Sequence, residues 1–178
     1  NDYGLNWYHS NLGFPSGYNA YSFLIKDSIV YAATNKGVIK TINQGNNWEI
    51  INNGFSYPDY INTLTISDNI LYAGTDHGLF SSLDGGNNWT AFANAGLYPF
   101  NEINAVAVKD SNIYIGTFRG IYRFNSLNNN WVSLNNGLDS ISTFGVTSIT
   151  IKNNNIYLGS ENKGICKKIS IATTSNPI

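Results

Sequence analysis

The side chains capable of acid–base, metal or nucleophilic chemistry are few in this chain, and their spacing assembles no catalytic site. His9 and His77 are the two histidines, and neither has neighbours at metal-ligand spacing. Cys166 is the single cysteine, and its apolar surroundings favour a packed core thiol over a nucleophile. The glutamates occupy unrelated positions, with no sign of a carboxylate pair for glycosidic hydrolysis: Glu49, Glu102 and Glu161. We therefore expect no enzyme activity, no metal and no cofactor.

One basic or titratable side chain does recur along the chain, each time immediately before a glycine. These residues are Lys36, His77, Arg119 and Lys163. If repeated units place them around one axis, their summed charge attracts a carboxylate, sulfate or phosphate group. The alternative is that the repeats copy one ancestral loop and the charges are simply solvated.

Aromatic side chains concentrate in the segments that link successive repeats. Those that vary between repeats are our candidate contact residues for a glycan or a protein: Tyr57, Tyr60, Tyr98 and Phe100. Their rings offer apolar area with hydrogen-bonding edges, and nearby prolines stiffen the loops. Phe14 and Phe55 instead share a repeat position with leucines, which favours packing between neighbouring units.

The four tryptophans reveal the scaffold that must position these residues. Trp7, Trp48, Trp89 and Trp131 follow one another at intervals of 41, 41 and 42 residues. A fixed period of this length means a repeat architecture. Within each period, an alternating stretch, an Asx turn, a tyrosine-centred run and a glycine-led run predict four short antiparallel strands. Four such strands form one blade, so we expect an all-β propeller of about four blades.

Each tryptophan closes a short motif, which is complete in residues 82–89 and reads Ser-x-Asp-x-Gly-x-x-Trp. A carboxylate hydrogen-bonds backbone N–H groups further along, and glycine accepts the positive φ of a tight turn. The motif therefore predicts a structural hairpin and not a catalytic acid. Its members are Ser82, Asp84, Gly86 and Trp89. Three further copies match the motif less completely: Asp2, Gly4 and Trp7; Thr41, Asn43, Gly45 and Trp48; and Phe124, Ser126, Asn128 and Trp131.

This motif resembles the Asp-box, or BNR repeat, of sialidase-type and related bacterial β-propellers, and the resemblance covers nearly the whole chain. The chain is also similar to propellers of the photosystem-assembly-factor and two-component-regulator kind. The resemblance implies that the motif serves the turn and lies away from any active centre. A sialidase needs three arginines around the substrate carboxylate, but this chain has only Arg119 and Arg123, both in one blade. A sialidase-like carbohydrate-active enzyme is therefore the weakest alternative.

The repeat order leaves both ends of the chain incomplete. The sequence predicts a strand over residues 5–13 that corresponds to the outermost strand of a blade, and the last blade lacks its outermost strand. Pairing the two closes a four-bladed disc and removes an open sheet edge. The alternative is an earlier blade that was cut away or belongs to another chain. We expect one propeller domain over residues 1–171, with blades at 17–56, 57–98, 99–139 and 140–171, then a polar tail or linker at 172–178.

Composition narrows the class of partner. A net charge of −1 with 12% charged residues offers little to a nucleic-acid backbone. No run approaches the roughly 18 apolar residues of a membrane span. Abundant asparagine and isoleucine indicate a bacterial source. We expect a non-catalytic secreted or cell-surface propeller that binds a glycan or a protein partner; the alternative is a scaffold module of a larger secreted or surface complex. The oligomeric state is left open.

Overall fold

The chain forms an all-β structure of the β-propeller type, in a computed structural model that describes residues 6–56, 59–97, 101–138, 145–161 and 164–168. The described residues contain fifteen strands in four antiparallel sheets. Each sheet is one blade, and its strands lie side by side in chain order. The predicted all-β propeller fold is therefore confirmed. In these parts of the chain no helix is long and apolar enough to cross a membrane.

The strand bounds show the repeat directly. Blade 1 contains β1 (Ala20–Lys26), β2 (Ile29–Thr34), β3 (Gly37–Thr41) and β4 (Glu49–Ile50). Blade 2 contains β5 (Ile61–Ser67), β6 (Ile70–Thr75), β7 (Gly78–Ser82) and β8 (Thr90–Ala91). Blade 3 contains β9 (Ala105–Lys109), β10 (Asn112–Thr117), β11 (Gly120–Asn125) and β12 (Asn130–Ser133). Blade 4 contains β13 (Val146–Lys152), β14 (Asn155–Ser160) and β15 (Gly164–Lys168).

The first hairpin of every blade turns at an Asp or Asn with positive φ, as the sequence predicts. Asp68 and Asn69 both have positive φ, 47° and 67°, between β5 and β6. The same conformation recurs between the first two strands of blades 3 and 4. Two successive residues at positive φ match the right-handed twist of the flanking strands, and Asn and Asp tolerate this region better than other side chains.

The motif at residues 82–89, which we call the tryptophan turn, is held by its own polar side chains. The Ser82 hydroxyl donates to Asp84 Oδ1 at 2.8 Å and accepts from the Gly86 amide at 2.8 Å. Asp84 also accepts from the Asn88 backbone amide at 2.9 Å and from the Asn88 side chain at 2.7 Å. The copy at residues 41–48 repeats the pattern with an asparagine in place of the aspartate. Asp84 is therefore engaged in folding the turn.

These hydrogen bonds make the turn sensitive to acid. Donation from Asn88, and then from Ser82, lowers the pKa of Asp84 from 3.8 to about 2. A carboxyl group whose pKa is lower in the folded protein stabilises the fold above its unfolded pKa, and this contribution is lost as the pH falls through the folded pKa. We expect the urea midpoint to fall between pH 4 and pH 2 in the wild type and to fall less in Asp84→Asn. If the urea midpoint fell equally in the two proteins between pH 4 and pH 2, Asp84 would not be the source of the acid sensitivity.

The apolar core lies between successive blades. Leu64 of β5 packs with Tyr31 and Val38 of blade 1, and equivalent clusters join blade 2 to blade 3 and blade 3 to blade 4. Phe55 stacks on Trp89 with ring centroids 5.1 Å apart, and Phe14 meets the Trp48 ring edge-on at 6.1 Å. The predicted packing between neighbouring units is confirmed for Phe55, while Phe14 packs on the tryptophan of blade 1. The blades are thus held together mainly by apolar burial, at roughly 25 cal/mol per Å².

The predicted pairing of an N-terminal strand with the last blade stays a prediction, and the described part of the N-terminal segment makes other contacts. Residues 6–13 contain no strand, and the blade 4 sheet has three strands. Instead, the Ser10 hydroxyl donates to Gly45 O at 2.5 Å, and Trp48 Nε1 donates to Ser10 O at 2.9 Å. These bonds attach the segment to the tryptophan turn of blade 1. The other residues of the first motif copy, Asp2 and Gly4, lie outside the described residues.

Candidate functional site

One end of the blades, which we call the loop face, carries the hairpins between second and third strands together with the loops that link blades. Backbone hydrogen bonds join the two sets of loops. The Asn35 amide donates to Asn19 O at 3.2 Å, and the Asp76 amide donates to Tyr60 O at 3.3 Å. Both bonds connect a hairpin to the linking loop just before the innermost strand of the same blade. The candidate basic and aromatic residues that the structure describes therefore share one surface.

The recurring basic side chains are engaged by residues of the linking loops. The Lys36 ammonium lies 5.4 Å from the centre of the Tyr18 ring. His77 Nδ1 lies 2.5 Å from Oδ1 of Asp59, and this carboxylate is buried. Tyr18 and Asp59 each precede their basic partner by 18 residues, so the pairing belongs to the repeat. Partnered in this way, Lys36 and His77 offer less to an anionic ligand than the sequence suggests.

Carboxylates that the sequence interpretation did not select also lie on the loop face. Burial raises the pKa of Glu102, and the negative charges of Asp76 and Glu161 raise it further. These three residues come from blade 2, the loop before blade 3, and blade 4. Such mutual repulsion requires the carboxylates to be close enough to interact. The face is thus of mixed charge rather than uniformly basic.

A pair of tyrosines forms an exposed aromatic surface on the same face. The rings of Tyr21 and Tyr60 stack with centroids 6.1 Å apart and planes inclined at 19°. Tyr60 remains 46% exposed, and its backbone oxygen accepts from Asp76. The stack therefore adjoins the hairpin that carries Asp76. Sequence reasoning considered the aromatic residues of the linking loops and did not select Tyr21, which lies in β1.

The other predicted site residues are distributed as follows. Arg119 lies in the blade 3 hairpin on the loop face, where its backbone amide donates to the Thr117 hydroxyl at 3.0 Å. Four predicted residues lie outside the described residues: Tyr57, Tyr98, Phe100 and Lys163. Among the residues that are described, no three side chains of His, Cys, Asp or Glu lie together as a metal site would require.

Comparison with known proteins supports the fold. No protein-family model and no curated protein matches the chain. The extracellular domain of BT4673 from B. thetaiotaomicron is 20% identical with a TM-score of 0.70, covering 88% of this chain and 22% of that one. An ancestral GH74 enzyme is 22% identical with a TM-score of 0.63, covering 84% and 22%. YCF48 from Cyanidioschyzon merolae is 16% identical with a TM-score of 0.63, covering 89% and 55%.

The coverage and identity of these matches limit what can be inferred from the structural similarity. YCF48 has also been solved bound to D1 peptide. This chain corresponds to about a fifth of the BT4673 domain and of the GH74 enzyme, and to about half of the YCF48 chain. At these identities the likeness establishes a β-propeller fold shared by extracellular domains, a peptide-binding protein and an enzyme. Function must be argued from the site of this chain.

Proposed function

We propose that this chain is a non-catalytic extracellular binding propeller whose loop face binds a protein segment that carries basic side chains. The observation that carries the proposal is the exposed Tyr21–Tyr60 stack beside Asp76. Tyrosine rings supply a large contact area at low conformational cost, and they are enriched where proteins bind one another. An extracellular location is supported by the BT4673 domain, and binding of a peptide is supported by the YCF48 complex.

The charges of the face favour a basic ligand over an acidic one. Glu102 is repelled by the charges of Asp76 and Glu161, and a lysine or arginine placed beside Glu102 relieves that repulsion. An acidic glycan would instead meet these carboxylates, while His77 is already paired with Asp59. Charge complementarity of this kind sets specificity and association rate more than affinity. A polypeptide is therefore the better candidate than a sialylated or sulfated chain.

The test is a binding screen of the purified protein against a peptide array that varies the number of lysines and arginines. We expect retention of basic peptides that weakens with salt, because exposed charges are screened over about 10 Å at 0.1 M ionic strength. Tyr60→Ala should weaken binding about tenfold, since truncating an interface aromatic costs more than about 1 kcal/mol. Asp76→Asn should reduce the salt dependence.

Two controls make the result specific. Leu127→Ala removes an exposed apolar side chain from the turn before β12, at the opposite end of the blades, and should leave binding unchanged. A glycan array with neutral and sialylated chains is run in parallel. Binding to glycans but not to peptides, or binding insensitive to Tyr60→Ala and Asp76→Asn, would overturn the proposal.

A further inference from the structure

A basic side chain stands beside the repeat tyrosine in three of the four described blades. The tyrosine of the second strand pairs in register with one residue of the third strand, and such cross-strand partners lie on the same face of a sheet. This partner is Lys40 in blade 1, Arg123 in blade 3 and Lys167 in blade 4. In blade 2 the partner of Tyr72 is Ser81. Blade 2 therefore lacks the cation that the other blades have at this position.

The contacts of the two lysines show how this position holds a cation. The Lys40 side chain is 14% exposed, and its Nζ lies 3.9 Å from Glu49 Oε2. The same Nζ donates to Asn87 Oδ1, in the tryptophan turn of blade 2, at 3.1 Å. Lys167 Nζ lies 5.5 Å from the centre of the Tyr157 ring. Lys40 thus buries its aliphatic chain, while acidic, amide or aromatic groups contact the charged end of these side chains.

In blade 2 a hollow of about 480 Å³ lies over the residues that correspond to this position. Tyr72 and Ser81 line it, together with Thr90, which pairs with Ser81 from the outermost strand. Leu83 and Phe92 supply apolar side chains to the hollow. Tyr72 and Phe92 also belong to the core between blades 2 and 3, so packing fixes both rings. Because serine is several atoms shorter than lysine or arginine, the hollow includes the space that a basic side chain occupies in blade 1.

Negative charge surrounds the hollow. Asp84 lines it, and the low pKa of this carboxyl group keeps it ionised at neutral pH. Burial raises the pKa of the Tyr72 hydroxyl, and the negative charge of Asp68 raises it further. In blade 3, burial also raises the pKa of the Tyr114 hydroxyl, but there the positive charge of Arg123 lowers it. The surroundings of Tyr72 thus favour a positive charge that the hollow's own residues do not supply.

The basic residues of this sequence lie elsewhere. The chain has ten lysines and arginines, and nine of them are in the described residues. None of the described residues that line the hollow is basic. The tenth, Lys163, immediately precedes Gly164, which is at the loop-face end of β15, whereas the hollow borders the tryptophan turn at the opposite end of blade 2. The hollow therefore suits a cation that a ligand brings.

We propose that this hollow binds a ligand that carries a primary ammonium or guanidinium group on an aliphatic chain, as a lysine or arginine side chain or a free diamine does. The chain packs against Phe92 and Leu83, and the charged end contacts the Tyr72 ring and the Asp84 carboxylate. In blade 1 the counterpart of Asp84 is Asn43, so the carboxylate stands in the blade that lacks its own cation. The site is separate from the loop face and does not depend on the proposed function.

Heteronuclear NMR of the purified protein tests the proposal and identifies the source of the cation. We expect saturable amide shifts at Ser81, Leu83 and Thr90 on titration with cadaverine or with Nα-acetyl-lysine methylamide at constant ionic strength. Shifts with cadaverine alone identify a free diamine as the ligand, and shifts with the lysine derivative identify a side chain. The norleucine derivative has a similar aliphatic chain without the charge and should produce no such shifts. Equal shifts with the norleucine derivative, or none with either amine, would overturn the proposal.

Matched variants locate the binding site. Ser81→Lys should fill the hollow from within, as Lys40 does in blade 1, and reduce the affinity by more than about tenfold, whereas Ser81→Ala leaves the space open and should bind as the wild type does. Asp84→Asn should weaken binding by about threefold, the effect typical of an exposed charge pair. The turn at residues 41–48 shows that asparagine supports the same fold. Tyr60→Ala, which tests the loop face, should not change amine binding. Unaltered affinity in Ser81→Lys would refute the site.

Discussion

Replacing Trp89 with alanine should destabilise the fold by about 3–5 kcal/mol, a large part of the roughly 5–15 kcal/mol that keeps a domain folded. The indole is 4% exposed and lies at the centre of the core between blades 1 and 2. Its removal leaves a cavity beside Phe55 and Phe80, and it takes the hydrogen-bond donor from Ile51 O. We expect a lower urea midpoint with an unchanged m value, since the surface exposed on unfolding stays similar.

Alanine substitutions at two less buried positions should cost less stability and provide a comparison. Trp48 is only half-buried, so Trp48→Ala should cost less than Trp89→Ala. Leu127 is exposed in a turn, and Leu127→Ala should stay within about 0.5 kcal/mol. If Trp48→Ala and Trp89→Ala proved equally costly, stability would not follow burial at the blade boundary, and the role of Trp89 in that core would be refuted.

The fold could be predicted from the sequence because its repeating features are local. An Asx pair such as Asp68 and Asn69 specifies a tight turn through its own backbone preference, wherever the surrounding chain lies. The tryptophan turn is similarly self-contained, since Ser82 and Asp84 bond to residues within the motif. Four repetitions of such local signals determine blades without any knowledge of long-range contacts. This is why the all-β propeller could be inferred before the structure.

The character of the loop face could not be predicted, because it depends on which loops meet. Asp59 contacts His77 across 18 residues, a separation that becomes visible only when the loop register is known. Asp76 and Glu161 each follow the second strand of their blade, but Asn35 and Phe118 stand there in blades 1 and 3, so a search for a recurring residue type passes over this position. The basic residues recur and were therefore selected, although the carboxylates beside them change the charge of the face.

The N-terminal segment shows a second limit of reasoning by repeats. Periodicity predicts an outermost blade position for Trp7, but it does not say which blade receives it. Residues 6–13 form no strand, and Ser10 instead bonds to Gly45 and Trp48 in the tryptophan turn of blade 1. These contacts join segments that are 35 and 38 residues apart, and a repeat pattern does not encode them.

Gly54→Ala should cost about 3 kcal/mol or more, the second large effect that we expect. Gly54 has a φ of +102°, and a Cβ there would lie 2.0 Å from the backbone oxygen of Trp89. An alanine at positive φ is strained by about 1–2 kcal/mol, and forcing atoms into a packed site costs a further 1–3 kcal/mol, approximately. A backbone oxygen cannot move aside as a flexible side chain can. Urea unfolding followed by circular dichroism measures the loss.

Gly137 provides the matched control, because it occupies the same repeat position in the segment after β12. Its φ is +85°, but a Cβ there would meet no atom of the described residues within 4 Å. Gly137→Ala should therefore cost only the strain of about 1–2 kcal/mol. Equal costs for Gly54→Ala and Gly137→Ala would show that backbone strain alone, and not the clash with Trp89, explains the first effect.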